Sequence, residues 1–142
     1  MITNQVIFRG NQWEGFDTLT LQASEYQLLL VFAQKSLLAD PAIYTTLKNH
    51  FTAAQIVSAS TAGEISGNDS MEDAVLAVAI KMEQTTFKIV HENINAHQNS
   101  YALGSSLAGK LKQQDLSYVM ILSDGHIVNG SDLLDGIKSQ LG

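Results

Sequence analysis

The sequence predicts an α/β domain, a mixed parallel and antiparallel sheet flanked by helices. Three observations carry that reading. Tyr26 to Ala33 and Tyr118 to Leu122 are short apolar runs without a polar face, as expected for central strands covered on both sides. Between and after them, apolar residues recur four apart, at Ile43, Leu47 and Phe51 and again at Leu103, Leu107 and Leu111, which is helical spacing. Finally, a strand, a helix and a strand fit into roughly 35 residues from Tyr26 onward, the size of a βαβ unit with parallel strands.

Composition narrows the class. The 142 residues, 45% of them hydrophobic, suffice for one folded domain, so residues 1–142 are read as a single domain. With no Cys there is no disulfide framework, thiol catalysis or Cys-ligated metal. Fourteen acidic residues against eight basic ones give a net charge of −6, and the basic residues are scattered from Arg9 to Lys138 without clustering. Nucleic acid is therefore not an expected partner. Apolar runs such as Ala74 to Ile80 are too short to cross a bilayer, and Met1-Ile2-Thr3-Asn4 does not open a signal peptide. The expectation is a soluble cytoplasmic protein without a membrane partner.

Taken in order, the chain offers an edge strand around Val6-Ile7-Phe8, interrupted by Gly10-Asn11, and then a helix over Trp13 to Ala23 with Phe16, Leu19 and Ala23 on one stripe. After the strand at Tyr26 to Ala33, Asp40-Pro41 opens a helix: Asp caps free N–H groups, and Pro at the first helical position lacks the N–H that would go unsatisfied. The next strand is entered at Gln55. Gly67-Asn68-Asp69-Ser70 reads as a loop. From Ala74 to Met82 the residues Leu76, Val78, Ile80 and Met82 alternate with Ala77 and Ala79, giving a large and a small face, and small residues let a helix pack closely. Thr86 to Glu92 reads as a strand antiparallel to this one, because the link between them is too short for a crossover helix. Asn99 or Ser100 caps the next helix, 117 to 122 forms a further strand, and a last helix capped around Asn129 to Ser131 carries Leu133, Leu134, Ile137 and Leu141 on one face. The parallel strands thus lie around residues 27, 56 and 118, and the antiparallel pair from 74 to 92.

Two strand ends carry the functional signal. Gln55 to Ile65 runs from an apolar strand into Ser60-Thr61-Ala62-Gly63-Glu64. Small side chains there allow backbone N–H groups to approach a ligand, and the Ser, Thr and Glu side chains supply directed donors and acceptors. Tyr118 to Leu122 ends in Ser123-Asp124-Gly125-His126 in the same manner. Ligands of open α/β sheets gather beyond the carboxyl ends of strands, so the two turns read as two halves of one site. The candidate ligand-binding residues are Ser60, Thr61, Gly63, Glu64, Ser123, Asp124, Gly125 and His126. Within that set, Glu64 is placed to receive an ammonium group while backbone N–H groups at Thr61 to Gly63 hold a carboxylate.

These turns, with the two strands after the first and the Leu-rich helix after Asn129-Gly130, resemble the N-terminal domain of the FIST family, the F-box and intracellular signal transduction proteins. The resemblance runs from about Leu28 to the end, and its most specific pieces are Ser60-Thr61-Ala62-Gly63-Glu64 and Ser123-Asp124-Gly125. It implies a sensory domain for a small ligand, with amino acids as candidates, followed by a C-terminal FIST domain or a downstream signalling protein as partner. Family members commonly carry Gly then Cys immediately before the Ser-Thr pair. Here Ser58 and Ala59 stand there, so no thiol contributes.

Each candidate has a structural alternative. Both turns suit ordinary chain reversals. His126 fits a surface residue as well as a base for Ser60, Thr61 or Ser123, the arrangement that a hydrolase or transferase would need. His91 and His97 lack metal-ligand spacing, no cofactor motif is present, and His50 suits the end of its helix. Trp13, Tyr26, Phe32, Tyr44 and Phe51 read as core or helix-packing residues. The leading expectation is a non-enzymatic sensory domain; a protein-interaction module is the other alternative, and an exposed apolar patch would favour it.

Overall fold

The computed structural model describes residues 1–142 apart from the side chain of Asp69. The chain forms an α/β structure of two compact units, Met1–Thr86 and Phe87–Gly142. In the first unit, β1 (Ile2–Arg9), β2 (Gln12–Glu14), β3 (Leu28–Ala33), β4 (Gln55–Ser60) and β7 (Val75–Lys81) make a five-stranded sheet in the order β2-β1-β7-β3-β4. A two-stranded hairpin of β5 (Glu64–Ser66) and β6 (Asp69–Met71) stands apart from it.

The βαβ expectation holds: β3 and β4 pair in parallel, with Leu28 opposite Gln55 and Ala33 opposite Ser60. Between them lie α1 (Lys35–Leu38) and α2 (Pro41–His50). The Asp40 carboxylate accepts a 2.9 Å hydrogen bond from the Ala42 N–H, so the cap works as the sequence implies. Ile43 and Leu47 on α2, and Phe51 just beyond it, are buried with Val75, Ala77 and Ala79 of β7, so the small face of that strand lies in the helix-covered core. Leu29, Val31 and Ala33 of β3 complete that core with Val6 and Tyr26.

The remaining strand and helix assignments need correction. β1 is internal rather than an edge, because it pairs antiparallel with both β2 and β7. Gly10-Asn11, read as an interruption, is the tip of the β1–β2 hairpin: both residues have positive φ, 56° and 62°, the pattern of a tight turn matched to strand twist. The helix expected over Trp13 to Ala23 is absent. Trp13 is in β2, ring to ring with Phe8 across the hairpin at 5.3 Å, and only short 3-10 turns follow at Phe16–Thr18 and Ala23–Glu25. The stripe of Phe16, Leu19 and Ala23 still packs on the core, so burial without helical hydrogen bonding satisfied the same residues. Gly67-Asn68 is a turn as expected, but Asp69 and Ser70 belong to β6. Tyr44 is exposed, whereas Tyr26 and Phe51 are fully buried.

In the second unit, α3 (Ser100–Leu111) and α4 (Gly130–Leu141) pack together, capped by Asn99 and Asn129. Leu103, Ala108, Leu133 and Ile137 form their core, while Leu134 is exposed rather than on the buried face. Neither 86–92 nor 117–122 forms a strand ladder among the described residues. The antiparallel partners of β7 are β1 and β3 instead. Segment 117–122 keeps a strand's alternation, with Val119 and Ile121 half-buried and Tyr118, Met120 and Leu122 exposed. Within its unit it lies against helices, which offer side chains but no free backbone partners for a ladder.

Candidate functional site

Three segments meet at one end of the sheet. Because β3 and β4 are parallel, both finish there, and the ladder runs one residue further through a 3.0 Å bond from the Thr61 N–H to the Ala33 carbonyl. Because β7 is antiparallel to β3, it starts there, with Val75 opposite Ala33. The β5–β6 hairpin is inserted between these ends, and its register sets Glu64 opposite Met71, immediately before Glu72 and Asp73.

The result is a cavity of about 160 Å³ lined by Gln34, Ala62, Gly63, Glu64, Glu72 and Asp73. Glu64 is only 4% exposed. One of its carboxylate oxygens accepts a hydrogen bond from the Thr61 hydroxyl; the other has no partner among the described residues. The Gln34 amide donates to Asp73, a non-glycine residue held at a φ of 52°, which ties the end of β3 to the start of β7. Glu72 and Asp73 are exposed at the mouth. The cavity is thus rich in acceptors and negative charge, with a buried carboxylate on its wall.

Of the sequence candidates, Gly63 and Glu64 line this cavity and Thr61 supports Glu64. Ser60 is exposed at the end of β4 and is not part of the lining. The Thr61 N–H is engaged by Ala33, so it is not free to hold a ligand carboxylate. Gln34, Glu72 and Asp73 escaped sequence reasoning; the signal that finds them is the β3–β7 pairing, which sets residue 75 beside residue 33.

Ser123, Asp124, Gly125 and His126 share a turn of the second unit. The Asp124 carboxylate accepts from the His126 N–H at 2.8 Å, and the Asp124 carbonyl accepts from the Val128 N–H at 3.0 Å. That is the Asx-turn chemistry of a chain reversal. The His126 ring is almost fully exposed, with Nδ1 3.4 Å from the Asp124 carboxylate.

A second electrostatic centre lies in the same unit. Glu92, 9% exposed, accepts from the Ser106 hydroxyl at 2.8 Å, lies 2.8 Å from the Lys110 ammonium and contacts His97 Nε2. Hydrogen bonds from Lys110 and then Ser106 outweigh desolvation and, with His97, hold its carboxyl at about 2. The carboxylate bridges Ser106 and His97, so the imidazole does not contact the hydroxyl as a nucleophile's base must. Among the described residues, no group of three or more His, Asp or Glu side chains is arranged to hold a metal ion.

The model of the FIST N domain matches residues 27–142. The chain belongs to the FIST family. The FIST N match spans all of the second unit and residues 27–86 of the first, and the family is one of signal-transduction sensory domains. No curated protein and no solved structure matches this FIST chain. No helix among the described residues is long and apolar enough to cross a membrane.

Proposed function

We propose that this FIST domain is a cytoplasmic sensor whose Glu64 cavity holds a small polar metabolite through an ammonium group. The observation that carries this reading is the buried Glu64 carboxylate with one unpartnered oxygen on the cavity wall. With that oxygen open to the cavity and no cation of the chain bonded to it among the described residues, the carboxylate can take a cationic partner, which a ligand ammonium supplies. Amino acids and the amines related to them carry that group.

Signalling follows from where the lining residues sit. Gln34 extends from β3, Ala62 and Gly63 lie between β4 and β5, and Glu72 and Asp73 lie between β6 and β7. A ligand touching all three segments favours the arrangement in which they are drawn together, and such differential contact is what shifts a conformational equilibrium. A C-terminal FIST domain or a downstream signalling protein is the proposed reader of that change. No chemistry on the ligand is required.

A thermal-shift screen against amino acids and small amines tests the reading. A ligand at a hundred times its dissociation constant adds ~2.7 kcal/mol of stability, a rise of several degrees in Tm. The expected result is a rise that disappears in Glu64→Gln. A rise retained in that variant would move the site elsewhere.

A second reading, a protein-interaction surface, is favoured by Tyr118, Met120 and Leu122, which are 80%, 49% and 42% exposed along one extended segment. Aromatic and aliphatic side chains exposed in a row suit contact with a protein partner.

A further inference from the structure

We infer that the free edge of β4 is a dimer interface, pairing antiparallel with the same edge of a second copy of this chain.

The two borders of the sheet differ. At one border, β2 is three residues long, includes Glu14 and is tied by the Arg9–Glu14 ion pair. Short strands and charges keep an edge from recruiting another strand. At the other border, β4 is six residues long and reads Gln-Ile-Val-Ser-Ala-Ser, without a charge, a Pro or a Gly. That edge is unguarded. In a chain of net charge −6, it is also a place where two copies meet without like charges facing each other.

The backbone fixes the register. The Gln55 N–H donates to the Gln27 carbonyl at 2.9 Å and the Thr61 N–H to the Ala33 carbonyl at 3.0 Å, so the odd-numbered residues of this stretch turn their backbone groups toward β3. Alternation along the strand turns those of Ile56, Ser58 and Ser60 outward, where they have no ladder partner among the described residues. A two-fold axis at Ser58 satisfies them: Ser58 faces Ser58 of the second copy, and Ile56 faces Ser60 of the second copy. Each of these pairs exchanges both of its backbone hydrogen bonds, and no large side chain opposes another. A contact of one strand a side belongs to the small, transient class of interface, under ~1,200 Å², so the dimer is a reversible one. Ser60 immediately precedes Thr61, whose hydroxyl bonds Glu64, so pairing also holds the backbone that leads into the cavity.

Sedimentation of the 142-residue chain from ~5 to ~500 μM should show reversible dimers, a range that brackets micromolar dissociation. Ser58→Lys sets like charges across the axis and should weaken dimerisation about tenfold or more. Its far-ultraviolet circular dichroism should not change, because the Ser58 side chain is exposed. The chain has no Cys, so an introduced thiol reports the register. Under mild oxidation Ser58→Cys should give a disulfide-linked dimer, since hydrogen-bonded antiparallel pairs hold their Cα atoms ~5.5 Å apart. Gln55→Cys should not, because this register sets its two copies ~20 Å apart. A chain that stays monomeric throughout that range overturns the inference, and protection of the Ser58 amide from hydrogen exchange in that monomer would mean that another segment covers the edge. A dimer unaffected by Ser58→Lys, or one that cross-links as fast through Gln55→Cys as through Ser58→Cys, overturns it as well.

Discussion

Glu64 and Glu92 are both nearly buried carboxylates, and their partners set them apart. Glu92 has Lys110, Ser106 and His97 around it, whereas Glu64 has one neutral hydroxyl. The first set of contacts stabilises the fold, and its signature is a pH dependence. With the Glu92 carboxyl lowered from an ordinary 4.5 to about 2, the folded chain releases that proton more readily than the unfolded chain. The contribution to stability is therefore complete above about pH 4.5, declines as the pH falls through that window, and is gone below about pH 2. Glu92→Gln should lower Tm at pH 7 and flatten the loss of Tm between pH 4.5 and 2.5 relative to the parent chain. Parallel melting curves for the two proteins across that range would show that Glu92 does not carry the linkage. The sequence pointed to Glu64 because a carboxylate at a strand-end turn of small residues is locally visible. It said nothing of Glu92, whose partners Ser106 and Lys110 lie 14 and 18 positions away on a helix.

Elements were legible wherever the local signal and the tertiary demand agreed. Asp40-Pro41 and Asn99 mark helix starts that the backbone adopts, and Ile43 and Leu47 face inward as their spacing requires. Trp13 to Ala23 failed because a stripe of apolar residues demands burial and not helicity, and the Gly10-Asn11 turn captured Trp13 for a hairpin. Segment 117–122 carries strand composition, but a strand also needs a neighbour's backbone, which composition does not encode. The packing of α3 on α4 lay beyond sequence reading for a related reason: the decisive residues are glycines. A Cβ on Gly104 would come within 2.2 Å of the Leu133 carbonyl oxygen, and one on Gly136 within 2.1 Å of that of Tyr101. These are backbone atoms, so the helices themselves must separate. Gly136→Ala should destabilise by ~1–3 kcal/mol, the usual cost of overpacking, despite Ala's better helix propensity. Gly109→Ala on the same helix pair has open space and should stabilise by up to ~1 kcal/mol. Urea denaturation of the two variants decides the matter, since equal effects would rule out the close helix contact as the cause.

On the scale of the whole molecule, the family match and the folded unit begin in different places. The FIST N match starts at residue 27, yet β1 lies inside the sheet between β2 and β7, and Val6 and Tyr26 are fully buried. The Tyr26 hydroxyl also donates to the Asn4 side chain, tying the two segments together. Phe8, Trp13, Phe16 and Leu19 pack on the same core. Each such side chain, fully buried, is worth ~1.5–3 kcal/mol. Removing residues 1–26 therefore takes away a sum comparable with the entire margin of a small domain, ~5–15 kcal/mol. It also exposes the edge of β7, an unbroken row of backbone groups from Val75 to Lys81 flanked by apolar side chains, and such an edge invites association. A chain beginning at residue 27 should lose its cooperative thermal transition and aggregate, even though it retains the family's matched region. Circular dichroism melts and light scattering on the two chains measure this directly. A soluble 27–142 chain melting cooperatively within about 5 °C of the full chain, roughly 1–2 kcal/mol for a chain of this size, would mean that the first two strands are dispensable to the sheet.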